Sequence, residues 1–170
     1  MAIQIEDGTG LATAESYISV VDADAYFLAR GNAAWALLTT LEKEVALRKA
    51  SDFIQQTYRL KWNGYRANDT QALDWPRYYV NRKDSLSNRS NFLLNTVIPT
   101  EVKQAQCELA SRASIAPLLE DLQPVVQSES VGSVSVVYGQ GNRKTVAYPA
   151  VDRLLAPFLK GYGAVGIARG

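Results

Sequence analysis

Residues Thr39–Tyr58, TTLEKEVALRKASDFIQQTY, decide the fold class. Thr39 followed three residues later by Glu42 is a capping box, in which each residue's side chain accepts the other's backbone N–H at the helix start. Beyond it, Leu41, Val45, Ala46, Ala50, Phe53, Ile54, Thr57 and Tyr58 recur at the spacing of one helical face. Glu44, Arg48, Lys49, Asp52 and Gln56 take the other. The spacing predicts an amphipathic helix over about 40–59 with one face in a core.

Shorter helices flank it. Ser19 with Asp22 caps VDADAYFLAR, which Gly31 closes. Pro99 suits a first helical position, and Val102, Ala105, Gln106, Leu109, Ala110 and Ala113 carry a third helix to about Ala116, where Pro117 interrupts. Past Leu122 the period changes: Val131–Tyr138 alternates, Gly139-Gln140-Gly141-Asn142 turns, and Lys144–Tyr148 returns as a β-hairpin. Pro149 then opens a short helix, AVDRLLAPFLK, and a glycine-rich tail follows. The expected fold is mainly α: a small helical bundle over residues 1–122, including a long irregular insertion at 60–97, and a hairpin, short helix and tail over 123–170.

Composition removes much chemistry. The 170 residues contain no His and one Cys, Cys107, which excludes His-ligated metals, Cys clusters, His-dependent nucleophiles and an internal disulfide. Cys107 lies in a helical pattern and reads as a small buried hydrophobe. No Walker A or dinucleotide-binding glycine pattern occurs, and Asp22 and Asp24, two apart on a helix, do not converge. The chain is therefore expected to be no enzyme, with no catalytic residue, cofactor or metal. Met1–Leu11 lacks the basic start and apolar run of a signal peptide, so synthesis in the cytoplasm and no membrane partner are expected.

The net charge of +1 hides blocks. Residues 1–24 carry five acids and no base, 57–91 seven bases against three acids, and 143–170 five bases against one acid. Such blocks are either solvated surface or complementary halves of a head-to-tail contact between copies. The 57–91 block interleaves its bases with Tyr58, Trp62, Tyr65, Trp75, Tyr78 and Tyr79, and Phe92 follows. Aromatic rings stack on unpaired bases while Lys and Arg follow phosphates, so this segment is a candidate for single-stranded DNA, with Arg59, Lys61, Arg66 and Arg77 as contacts. The structural reading of the same composition is that Trp62 and Trp75 anchor an irregular segment to a core.

Four stretches carry a family resemblance: DGTGLATAESYISVVDADAYFLARGNAAW, QALDWPR, IPTEVKQAQCELA and YPAVDRLLAPFL. They resemble small tailed-phage structural proteins catalogued as DnaT-like single-stranded-DNA-binding proteins and, more loosely, the head–tail connector adaptors of tailed phages. The resemblance implies a viral structural protein of the virion neck. It would be a ring of twelve identical subunits between the portal protein and a tail-side neck or terminator protein, with DNA passing through the lumen without sequence-specific contact. On that reading Arg153, Leu154, Phe158, Lys160, Tyr162 and Arg169 face the portal or a neighbouring subunit. The alternative implied by the same family is a single-stranded-DNA-binding protein using residues 57–91.

Overall fold

The computed structural model describes residues 2–81, 92–119, 128–131, 134–137 and 147–161, the two short stretches at 128–137 by their backbone alone. Its helices are α1 (Val20–Leu28), α2 (Ala33–Ala36), α3 (Thr40–Tyr58), α4 (Thr100–Ala113) and α5 (Pro149–Leu155), the last followed by a 3-10 turn, Ala156–Phe158. Two small antiparallel pairs complete the fold: β1 (Tyr65–Arg66) with β2 (Arg77–Tyr78), and β3 (Ser128–Val131) with β4 (Val134–Val137). The architecture is mainly α, as the periodicity predicts.

The capping box at Thr39 and the cap at Ser19 form as read. Thr39 Oγ1 accepts the Glu42 N–H while Glu42 Oε2 accepts the Thr39 N–H at 2.7 Å, and Ser19 Oγ accepts the Asp22 N–H at 3.0 Å. The buried stripe of α3 is narrower than expected: Ala46, Leu47, Ala50, Ser51, Phe53, Ile54 and Tyr58. Leu41 and Val45 lie on the far side of the helix, because at about 100° per residue they fall roughly opposite the centre of that seven-residue stripe. α4 packs along this stripe, and α5 packs on α4. Pro99 is the N-cap of α4, and the helix ends at Ala113, short of Ala116. α2, capped by Asn32, is a helical turn that the sequence reading lacked.

Another expectation changes. The hairpin pairs Ser128–Val131 with Val134–Val137, so the run read as one strand supplies parts of both, and the expected turn at 139–142 and return at 144–146 lie outside the described residues. α5, read with the hairpin and tail as a unit apart from the 1–122 bundle, has Val151 and Leu155 fully buried in one core with α3 and α4.

One polar side chain ties the core together. Gln106 of α4 is fully buried; its Oε1 accepts the Tyr17 N–H at 2.9 Å, and its Nε2 donates to Ser16 Oγ, Ser51 Oγ and the Leu47 carbonyl at 2.7–3.0 Å. It thereby pins the N-terminal segment onto α3 and α4. That segment is itself closed by Glu6, a buried carboxylate that accepts N–H bonds from Gly8, Gly10 and Leu11 at 2.8–2.9 Å. Glu6→Ala leaves three donors without their acceptor and should cost about 2–3 kcal/mol, read as a lower urea midpoint with an unchanged slope.

Cys107 is buried, and burial pushes its thiol up to about 12, so it is a packed hydrophobe. Among the described residues no helix is long and apolar enough to cross a membrane.

Candidate nucleic-acid interface

The irregular segment 60–81 is ordered from beneath by its own tryptophans. Trp62 and Trp75 are fully buried, 5.6 Å apart edge to face, and continue into Tyr58 on one side and Phe158 on the other. The chain after α5 then docks alongside: the Asn63 N–H donates to the Phe158 carbonyl at 2.9 Å and the Lys160 N–H to the Lys61 carbonyl at 2.7 Å. The tryptophans therefore anchor the segment, and neither presents a face for stacking.

Arg77 is the second support. It is buried, and its guanidinium donates to three backbone carbonyls: Nε to Asn63 at 2.9 Å, Nη1 to Asp74 at 3.1 Å and Nη2 to Gly64 at 2.8 Å. Beside it, the Asp74 carboxylate is fully buried, accepting from Trp62 Nε1 at 3.1 Å and lying 3.5 Å from Arg59 Nε, while the Asp74 N–H donates to Tyr17 Oη at 3.0 Å. Burial raises the Asp74 carboxyl above its ordinary range; the Trp62 bond and the charges of Arg59, Arg77 and Arg66 oppose it. The expectation that Arg77 contacts DNA is corrected by this geometry, because its donors already hold β1 and β2 in place.

On this base stands a cluster of exposed rings. Tyr65 and Tyr78 are cross-strand partners on β1 and β2. Tyr78 and Tyr79 would point to opposite faces of a regular strand. Tyr79 instead adopts a left-handed backbone, φ 58°, which turns its ring outward with Tyr78 while Val80 enters the core. Phe92 joins through the bridge that pairs Asn81 with it. Tyr79 lies 6.4 Å from Tyr65, 6.1 Å from Tyr78 and 5.9 Å from Phe92, in edge-on or tilted contacts. Tyr65, Tyr78, Tyr79 and Phe92 are 72, 42, 65 and 52% exposed. Among the described residues, every exposed Tyr, Phe or Trp belongs to this one cluster.

Cations border it along the chain. Arg66 follows Tyr65 on β1, half-buried, with its Nε shielded and without a hydrogen-bond partner among the described residues. Lys61 and Lys160, joined by their backbone bond, are both exposed, and the Lys61 ammonium sits over the Tyr58 ring at 5.2 Å. Arg59 is exposed despite its contact with Asp74. The ten residues that connect Asn81 to Phe92 contain Arg82, Lys83 and Arg89 against one acid, Asp84.

Gly64 sets the height of the platform. Its φ is +68°, and a Cβ there would lie 2.0 Å from the Tyr78 carbonyl oxygen, so β1 and β2 approach only over a hydrogen atom. Gly64→Ala should lower stability by on the order of 2–3 kcal/mol and reduce whatever binding the rings support, measured by urea unfolding and by titration of the folded fraction.

Of the residues assigned to a portal or subunit contact, Arg153 is exposed and Leu154 half-buried on α5, Phe158 is buried against Trp75, Lys160 lies beside Lys61, and Tyr162 and Arg169 lie outside the described residues. Phe158 as an interface residue is corrected by its place in the core. The sequence reading named the aromatics of this segment together; what it missed is that the tyrosines and Phe92 carry the surface. The available signal was chemical, since a Tyr hydroxyl tolerates water better than an indole ring that must be covered.

Away from the platform, an apolar groove of about 590 Å³ between α1 and α2 is lined by Phe27, Leu28, Trp35 and Ala36. Its charged pair, Asp24 and Lys43 at 3.0 Å, is mutually neutralised, so it offers a strand of phosphates nothing.

The family described as "Putative DnaT-like ssDNA binding protein" matches this chain over residues 1–170. No curated protein and no solved structure matches it.

Proposed function

The chain belongs to the DnaT-like ssDNA-binding protein family, and we propose that it binds single-stranded DNA on the platform of Tyr65, Tyr78, Tyr79 and Phe92. The observation that carries this reading is the gathering of all exposed aromatic rings of the described residues into one cluster, with Arg66 following Tyr65 on β1, the exposed Arg59 and Lys61 preceding it in the chain, and Lys160 joined to Lys61 by a backbone bond. Each ring offers a π-face to an unpaired base, and the cations meet the phosphates on either side. A duplex, with its bases stacked inside, presents only the phosphates and so gains only the electrostatic part.

Fluorescence anisotropy with a short labelled oligo-dT tests it. Binding should weaken with salt, and Lys61→Ala, Arg66→Ala and Lys160→Ala should each reduce the slope of log K against log salt by roughly 0.7, the single-strand value per phosphate contact. A matched strand of abasic sites should bind far more weakly at the same charge. Absence of any anisotropy change at low salt would sink the reading. The adaptor reading, which rests on the resemblance alone, predicts instead ring particles in negative stain from protein that leaves the strand unbound.

A further inference from the structure

We infer that this platform selects single strands whose bases stack poorly on one another, so that pyrimidine runs, oligo-dT above all, are its ligands rather than oligo-dA. The inference rests on the single-strand reading above and follows from ring spacing. Tyr65, Tyr79 and Phe92 stand in series with centroids 6.4 and 5.9 Å apart. Bases stacked in a strand rise about 3.4 Å per nucleotide. Successive bases cannot therefore keep their mutual stacking and also occupy successive rings.

Ring orientation closes the other route. Tyr79 is set at 85° to Tyr65 and at 87° to Phe92, so no parallel pair of neighbouring rings in this series forms a slot for a stacked pair of bases. The rings are also held. Tyr65 is fixed opposite Tyr78 in the β1–β2 register, Gly64 keeps that register tight, and Phe92 is fixed by the Asn81 bridge. A platform with this spacing does not contract to 3.4 Å; the strand must extend to meet it. Extension costs little for thymines, which barely stack, and more for adenines, which stack strongly. Sequence preference then comes from strand stiffness, with no base edge being read.

The test compares three labelled strands at one salt concentration with the intact protein: dT12, dA12, and a strand of the same length in which adenines alternate with abasic spacers. Oligo-dT should bind about tenfold tighter than oligo-dA, and the spaced adenines should recover most of that loss, since they have nothing to unstack from. Tyr65→Ala with Tyr79→Ala should bring dT12 and dA12 together. If dA12 binds as tightly as dT12, or if the spacers fail to restore adenine binding, the inference is overturned while single-strand binding stands. If none of the strands binds, the reading under the previous heading fails and takes the inference with it.

Discussion

Replacing Tyr65 and Tyr79 together by alanine is expected to weaken oligo-dT binding roughly 100-fold at constant salt, with thermal stability little changed. Stacking one base on an aromatic ring contributes about 1–3 kcal/mol, so two rings lost correspond to about 3 kcal/mol. Both side chains are exposed and neither belongs to the core cluster, which is why their removal should spare the fold. The cations remain, so the salt slope should stay near the wild-type value while the affinity falls. That combination separates stacking from charge: a loss of slope would mean that the rings only position the cations, and an unchanged affinity would remove the platform from consideration.

Arg77→Ala is expected to fail in the opposite way. The guanidinium is buried and bonded to the carbonyls of Asn63, Asp74 and Gly64, with the buried Asp74 carboxylate beside it. Removing it strands three acceptors and takes one of the cations away from the buried Asp74 carboxylate, a loss of about 3–5 kcal/mol in urea unfolding. Arg77→Lys should rescue little, because an ammonium cannot reproduce a planar fork aimed at three acceptors. Binding should fall only as far as the folded fraction falls. A variant that stayed fully stable yet lost about 0.7 of salt slope would show Arg77 to be a phosphate contact and its burial to be irrelevant.

The contrast between Arg77 and Lys61 shows where sequence reading runs out. Both are bases within an aromatic-rich stretch, and charge counting treats them alike. Lys61 sits where the chain meets solvent; Arg77 follows Trp75-Pro76 into the interior, where three carbonyls left open by the irregular backbone needed donors. The aromatics divide in the same manner. Trp62, Trp75 and Phe158 lie beneath the segment and Tyr65, Tyr78, Tyr79 and Phe92 above it, a division set by one left-handed residue and one glycine.

The helices were legible because their signals are local. A capping box at Thr39 and Glu42, a cap at Ser19, a proline opening α5 and a 3.6-residue apolar period act over one or two turns, so neighbours in sequence determine them. The same locality explains the missed width of the α3 stripe: Leu41 and Val45 are apolar, but which apolar residues of a helix are covered depends on where α4 lies. The β-strand pairing at 128–137 was misplaced for a related reason, since register depends on a partner and on the turn between them.

What the sequence by itself determined about this protein is therefore its mainly helical class, the starts of α1, α3 and α5 and its lack of histidine chemistry, all properties of composition or of contacts within a few residues. Only the tertiary structure decided which of the described aromatic and basic residues between 58 and 92 face water. That outcome depends on contacts among Tyr17, Trp62, Asp74, Trp75, Arg77 and Phe158, of which Trp75–Phe158 joins residues 83 positions apart, and no local period or spacing encodes a contact of that range.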